Sequence, residues 1–424
     1  MRKVIKNGFV ITMDSNRRKI EKLDIVIEDD TIVNIVDSYD GEYDLLIDAK
    51  NKVVMPGLIN AHTHLGMSYF RASNDNLSLQ DWLNNKIWPI EAKMTDEDTY
   101  YGTLLSLIEM IKTGTTCCND MYFNSEGIFK ALKDAKVRCL FTRCLMDNDQ
   151  KGEERIQEFL KLYENHKNDS LIRFNVGPHA LYTCNVPYLK KCSDLALQLN
   201  LPLHIHYCEN RKEIEDIENM YHMSPLEVLK ESGLLRNHLI LAHATFIDDE
   251  SLKCFQDYDV HFVHNPISNL NLGCGIADIT KYRDFVNIAF GTDGQGSGNN
   301  MNLFYHMSIV DLLQKGYKEN ATIFSSYDVL KMATINGAKA LGLEDEIGSI
   351  EIGKKADIIL LDLNDSLTEP SLDILSNVCH NGFNHIYMTM INGDILYEDN
   401  HLNLEIEEDF VIKEVNDRLK RITL

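Results

Sequence analysis

Eight times along the chain, a short apolar, strand-like run ends in a polar side chain suited to a metal site. The runs are Val53–Leu58 before Asn60-Ala61-His62-Thr63-His64, Gly114–Cys118 before Asn119-Asp120, Val137–Phe141 before Arg143, and Ile172–Val176 before His179. They continue with Leu201–Ile205, which carries His204 and His206, then Leu239–Ala242 before His243, Val260–Val263 before His264, and Asn287–Phe290 before Asp293. Eightfold repetition of this kind reads as α/β, a (β/α)₈ TIM barrel. In that fold the C-terminal ends of the strands converge on one open face, where active sites are built. Residues far apart in sequence are therefore expected to share one site.

A barrel takes about 250 residues, and the chain has 424. The surplus lies at the two ends. Residues 1–54 alternate apolar and polar positions, and turn residues such as Asn7-Gly8 and Asp29-Asp30 punctuate them. Period-two alternation of this kind predicts short antiparallel strands. The same texture returns in Ile358–Leu361, in Ile386–Ile391 and, after Asn392-Gly393, in Ile395–Tyr397. The expectation is a small β-sandwich domain built from both termini, residues 1–54 and 346–424, around a catalytic barrel of residues 55–345. Helices are predicted between strands, as at Asp96–Lys112 and Tyr327–Leu341, and at the C-terminus over Glu408–Arg421.

With 65 acidic and 42 basic residues the formal charge is −23, which argues against nucleic acid or an anionic membrane as the main partner. No run of about 18 apolar residues suggests a membrane span. Lys6, Asn7 and Asp14 interrupt any apolar core of a signal peptide after Met1-Arg2-Lys3. The 10 cysteines are scattered through strand-like segments, the pattern of reduced thiols in a cytoplasmic protein. A homo-oligomer is the default for a soluble enzyme.

His62-Thr63-His64 is the strongest local signal. Side chains two apart on a strand share a face, so two imidazoles can grip one ion without bending the chain. In His204-Ile205-His206-Tyr207-Cys208-Glu209, His206 lies nearer the strand end and is the metal candidate; His204 reads as a core or supporting histidine. Glu209 sits just beyond, within reach of a metal-bound water, as a general acid/base. Asp293 would complete the set as ligand or water-orienting base, and His243 would either ligate or hydrogen-bond the water. Three imidazoles and a carboxylate suit zinc or iron(II). Binuclear barrels need a bridging lysine or glutamate on strand four; Ile172–Thr183 has neither and offers His179, so one divalent ion per chain is expected. The His-x-Glu and Pro-Cys pairs of the free-standing nucleoside deaminases, the Gly-x-Ser-x-Gly elbow and the phosphate-binding glycine loops are all absent.

These residues resemble the amidohydrolase superfamily, and within it the branch of S-adenosylhomocysteine and 5′-methylthioadenosine deaminases with their chlorohydrolase relatives. The resemblance covers nearly the whole chain. It rests on Pro56–His64, Trp82-Leu83, Trp88-Pro89-Ile90-Glu91, Thr113–Thr116, His264–Leu270 and Gly348–Asp357. It implies a metal held by His62, His64, His206 and Asp293, a proton shuttle at Glu209, and a water oriented by His243 and Asp293. Glu91 and His179 match positions that bind the adenosine part of a small-molecule nucleoside; Arg143 and Arg155 match a pair that holds an amino-acid carboxylate. The implied reaction is hydrolytic deamination at purine C6 with release of ammonia. Rival readings are deamination or dechlorination of guanine, cytosine or an s-triazine, amide or ester hydrolysis at a two-metal centre, and a metal-binding barrel without turnover.

Overall fold

The computed structural model describes residues 1–14, 20–73 and 77–424. Eight strands form the barrel: β1 (Leu58–Thr63), β2 (Thr115–Tyr122), β3 (Arg138–Arg143), β4 (Ile172–Phe174), β5 (Leu203–Tyr207), β6 (Leu239–His243), β7 (Val260–His264) and β8 (Asn287–Phe290). They pair in parallel as two four-stranded arcs, β1 to β4 and β5 to β8. Both seams are bonded. Val176 N–H donates to Pro202 O (2.9 Å) and His204 N–H to Val176 O (3.0 Å), joining β4 to β5. Asp293 N–H donates to His62 O (3.1 Å), joining β8 to β1. At the β8–β1 seam the ring therefore closes through backbone atoms of two residues expected to act, His62 and Asp293.

The interior is packed. Ile59, Ala61, Cys117, Leu140, Ile240, Val263 and Ala289 form one cluster with Ala338, Ala340, Leu341 and Ile347. The helix Ile335–Ala340 thus plugs the end of the barrel away from the mouth. Sequence periodicity predicts one helix over Tyr327–Leu341; the structure has Ser326–Met332 and Ile335–Ala340, broken at Thr334. The Thr334 hydroxyl donates to Leu330 O at 2.7 Å, and the break turns the second helix under the barrel. The helix Asp96–Lys112 has the expected bounds, opened by a capping box between Thr95 and Asp98. The C-terminal helix runs over Glu408–Thr423.

One apolar run divides. Val53–Leu58 reads as the first barrel strand, but Lys52–Pro56 lies in an outer sheet, between Ile358–Asp362 and Phe9–Val10, and β1 starts only at Leu58. Gly57 is the crossing point. A Cβ there would lie 2.1 Å from Thr116 Oγ1, so only glycine lets the chain pass this close to β2.

The two outer sheets draw on both termini. One has seven strands, from His401–Leu402 through Ile358–Asp362 and Lys52–Pro56 to Glu21–Lys22; the other has four, including Arg2–Lys6 and Asp24–Glu28. Ile5, Ile25 and Ile27 of the smaller sheet pack against Val54, Ile358, Leu360, Met388 and Met390 of the larger. Two faces closing on one apolar layer make a sandwich. Not every pairing is antiparallel as expected. Arg2–Lys6 pairs in parallel with Leu45–Asp48, and Phe9–Val10 with Lys52–Pro56, because the long connections between them allow a return in the same direction. Asn392-Gly393 takes positive φ at both positions (52° and 82°), the two-residue hairpin its sequence announces.

Arg138, opening β3, is clamped to Asp357 at the start of the outer strand Ile358–Asp362. The contacts are 2.8 Å from Nε and 3.1 Å from Nη2, with both side chains almost wholly buried. A buried pair is costly to break on one side only, at about 3–5 kcal/mol. Arg138→Met is therefore expected to lower the thermal midpoint strongly, and Arg138→Met with Asp357→Leu to recover most of the loss. Equal melting of the single variant and the parent would show that this clamp does not hold the sandwich to the barrel.

Candidate metal centre and substrate cavity

At the mouth of the barrel, His62 and His64 on and just after β1, His206 on β5 and Asp293 after β8 turn their polar atoms toward one point. His64 Nε2 lies 3.2 Å from His206 Nε2 and 3.1 Å from Asp293 Oδ1, and His62 Nε2 lies 3.4 Å from the same oxygen. Metal–ligand bonds of about 2.0–2.1 Å give a tetrahedron with edges of about 3.3 Å, so the spacing suits one small divalent ion.

The outer contacts set which nitrogens face inward. His64 Nδ1 sits 2.6 Å from Met121 O and His206 Nδ1 2.7 Å from His179 O. A carbonyl can only accept, so each Nδ1 carries the proton and each Nε2 presents a lone pair. His62 Nδ1 lies 2.9 Å from His204 Nε2, which gives His204 the supporting position. His62 Nε2 is buried without a hydrogen-bond partner, a costly condition unless a cation takes the lone pair. Asp293 Oδ2 accepts from Ser268 and Ser297, each at 2.7 Å, which leaves Oδ1 for the cluster.

Burial and the Asp293 carboxylate act in opposite directions on the histidines. Burial pushes His62 down to about 3 and holds His206 well below the ordinary imidazole range. Burial opposes charge on His64 too, yet hydrogen bonding to Asp293 overrides it and holds His64 up to about 9. Asp293 itself stays well below the carboxylate range, because its contacts with His62 and His64 outweigh burial.

His243 lies next to this group. Its Nδ1 is 2.8 Å from Asn269 Oδ1 and therefore protonated, so Nε2 is the acceptor. Its proximity to His62 and Asp293 keeps both sequence alternatives, ligand or water partner, geometrically open. Glu209 Oε1 lies 3.8 Å from His243 Nδ1, and burial raises its pKa above the usual carboxylate value.

A cavity of about 330 Å³ opens onto the cluster, lined by His64, His206, Glu209, His243 and Asp293 at its floor. Trp82, Trp88, Ile87, Phe123, Tyr182 and Leu272 make apolar walls. Glu91, at the end of the short helix Trp88–Glu91, points its carboxylate at the Tyr122 hydroxyl (2.6 Å). His179 and Arg155 also line the cavity. Arg155 donates to Asp149 through both terminal nitrogens (2.5 and 2.6 Å).

Arg143 is not among the lining residues. Its guanidinium turns to Glu158 (2.7 Å) on the helix Gly152–His166 and to Cys144 O (2.5 Å). Several partners had no sequence signal of their own: Tyr122 beside Glu91, Asp149 beside Arg155, and the serines that hold Asp293. Ser268 and Asn269 do fall inside the His264–Leu270 segment singled out in the sequence.

A second His/Asp group, His238, Asp259 and His261, sits at the opposite ends of β6 and β7. His261 Nδ1 is 3.0 Å from Asn287 Nδ2. The amide donates, so His261 Nε2 carries a proton toward Asp259 and does not offer a ligand lone pair.

A closed barrel that gathers imidazoles and a carboxylate at its mouth belongs to the class of metal-dependent hydrolase barrels. Within that class, the chain belongs to the amidohydrolase family, matched over residues 53–396. It is 38% identical to a 5-methylthioadenosine/S-adenosylhomocysteine deaminase of Caldanaerobacter subterraneus, over 100% of this chain and 99% of that protein. It is 39% identical to a 5′-deoxyadenosine deaminase of Methanobrevibacter smithii, over 92% and 91%. Among solved structures, an adenosine deaminase from Xanthomonas campestris with bound zinc superposes with a TM-score of 0.95 at 29% identity, covering 99% of this chain and 98% of that one. An atrazine chlorohydrolase from Arthrobacter aurescens in complex with zinc gives 0.92 at 23%, covering 98% and 100%; that likeness speaks for the fold.

Proposed function

We propose that the protein deaminates adenosine-type nucleosides at purine C6, releasing ammonia and the inosyl product. The observation that carries this reading is the cavity itself. Its apolar walls run from a buried His/Asp cluster with the Glu209 carboxyl beside it to Glu91, whose carboxylate accepts from the Tyr122 hydroxyl and could take ribose hydroxyls. The names of the relatives support the purine nucleoside over guanine, cytosine or a triazine.

His62, His64, His206 and Asp293 would hold one divalent ion, for which we favour zinc; iron(II) suits the same donors. A metal held there would supply a nucleophile at neutral pH, since such ions lower the pKa of water toward about 7. His243 Nε2 and Asp293 orient the attacking oxygen toward C6. Glu209, whose pKa burial raises, delivers a proton to the adjacent ring nitrogen. As the C6–N bond breaks, the proton of the added hydroxyl passes through Glu209 to the departing amine, which leaves as ammonia. His179 and Glu91 fix the nucleoside, and the aromatic walls exclude water from the reacting face. We further propose a cytoplasmic homo-oligomer, with residues 55–345 as the catalytic domain and residues 1–54 and 346–424 as the sandwich. Among the described residues no helix is long and apolar enough to cross a membrane.

Ammonia release by metal-replete enzyme across S-adenosylhomocysteine, 5′-methylthioadenosine, 5′-deoxyadenosine, adenosine, guanine and cytosine tests the reading. Preference for the first four supports it; silence on them discards it. Selectivity within the class is tested first at Arg155, which lines the cavity, whereas Arg143 pairs with Glu158 and stands behind the Phe123 wall. Asp149 competes with a substrate carboxylate for Arg155. Hydrogen bonds to charged groups contribute about 1.5–3 kcal/mol, roughly 10- to 100-fold. Arg155→Ala is expected to lower kcat/KM for S-adenosylhomocysteine by that order while sparing 5′-methylthioadenosine, and Asp149→Ala to shift the ratio the other way. Unchanged ratios in both variants would remove Arg155 from substrate choice.

A further inference from the structure

Glu213 does not touch the cavity, yet its carboxylate grips the backbone that carries Glu209. The helix Arg211–Tyr221 begins after Asn210, whose side chain accepts from Glu213 N–H at 2.8 Å. In an ordinary capping box the residue in Glu213's place turns its carboxylate back to the N-cap N–H. Here it reaches further. Oε2 accepts from Glu209 N–H at 2.7 Å and Oε1 from Cys208 N–H at 3.1 Å. Cys208 has φ +49°, the left-handed region that side-chain-bearing residues seldom occupy. Its carbonyl accepts from Thr245 N–H at 3.0 Å. The turn is therefore pinned from one side by the strand-six loop and from the other by Glu213. Glu213 is only 3% exposed, and a carboxylate is seldom buried unless its oxygens are fully engaged. A plain helix cap needs neither that burial nor that reach.

We propose that Glu213 is a positioning residue for the proton transfer: it holds the Cys208-Glu209 turn so that the Glu209 carboxylate stands over the reacting ring. This rests on the role given to Glu209 above. A carboxylate displaced by about 1 Å loses on the order of 10²-fold in rate. Glu213→Ala is accordingly expected to lower kcat about 10- to 100-fold, with KM and metal content unchanged. Glu213→Gln, which keeps one acceptor, should lose less, and it carries the test if the alanine variant does not fold.

The deciding measurement is a double-mutant cycle with Glu209→Gln. An effect exerted through Glu209 disappears once that carboxylate is gone, so either Glu213 change should cost less than about twofold further in the Glu209→Gln background. Equal fold losses in both backgrounds, or an unchanged kcat in the parent background, would overturn the proposal. If the parent protein is inert on every nucleoside, the proposed reaction fails first. The crystal structure of Glu213→Gln then decides the positioning role separately. A displaced Glu209 side chain supports it, and a superposable one overturns it.

Discussion

Glu209→Gln is expected to bind metal as well as the parent does and to lose about 10²–10⁴-fold in kcat, the range for removal of a positioned proton donor. The two effects separate because Glu209 is outside the His/Asp cluster, while its carboxylate lies beside His243 on the cavity floor. Burial raises its pKa above the usual carboxylate value, the direction a proton donor needs. Glutamine preserves shape and can still hydrogen-bond, but it cannot cycle a proton. Metal analysis and steady-state kinetics on the same preparation check this. Full turnover in a metal-replete variant would remove Glu209 from the chemistry.

His206→Ala is expected to leave the metal substoichiometric and activity lower by roughly 10³-fold or more, since a bound ion contributes several kcal/mol to the transition state. His206 is the only one of the four proposed ligands contributed by the second arc of the barrel before β8, and its Nε2 faces His64 Nε2 at 3.2 Å. Its loss leaves two imidazoles and one carboxylate on adjacent strands, an open set that holds an ion less well. A chelator should act on the parent in the same direction and lower its melting temperature: a ligand present at 1,000 times its Kd stabilises by about 4.1 kcal/mol. Added zinc should restore the chelated parent and leave His206→Ala deficient. Undiminished metal content in His206→Ala would break the proposed ligand set.

The Arg143 result shows where sequence spacing stops being informative. Arg143 ends the third strand and Arg155 follows it, and both resemble carboxylate-binding positions. Only Arg155 lines the cavity, because Glu158, one helical turn further on, draws the Arg143 guanidinium away. Side-chain direction at a strand end depends on which counter-charge the next helix presents, and no local pattern encodes that.

Much was legible without coordinates. The eight apolar runs announced the barrel because a parallel strand buried on both faces must be apolar throughout. That His62, His64, His206, Glu209, His243 and Asp293 would gather in one place was legible because each ends or follows such a run, and strand ends in this fold share one mouth. What only the tertiary structure decided were contacts that cross between elements. The Val53–Leu58 run splits at Gly57 because Thr116 of β2 leaves no room for a side chain. Tyr122 meets Glu91, Ser268 and Ser297 meet Asp293, and Glu213 reaches past its own helix cap to the Glu209 amide. Periodicity reports which face of an element is buried. Which polar atoms then meet across that buried space depends on the closed ring, and so belongs to the structure.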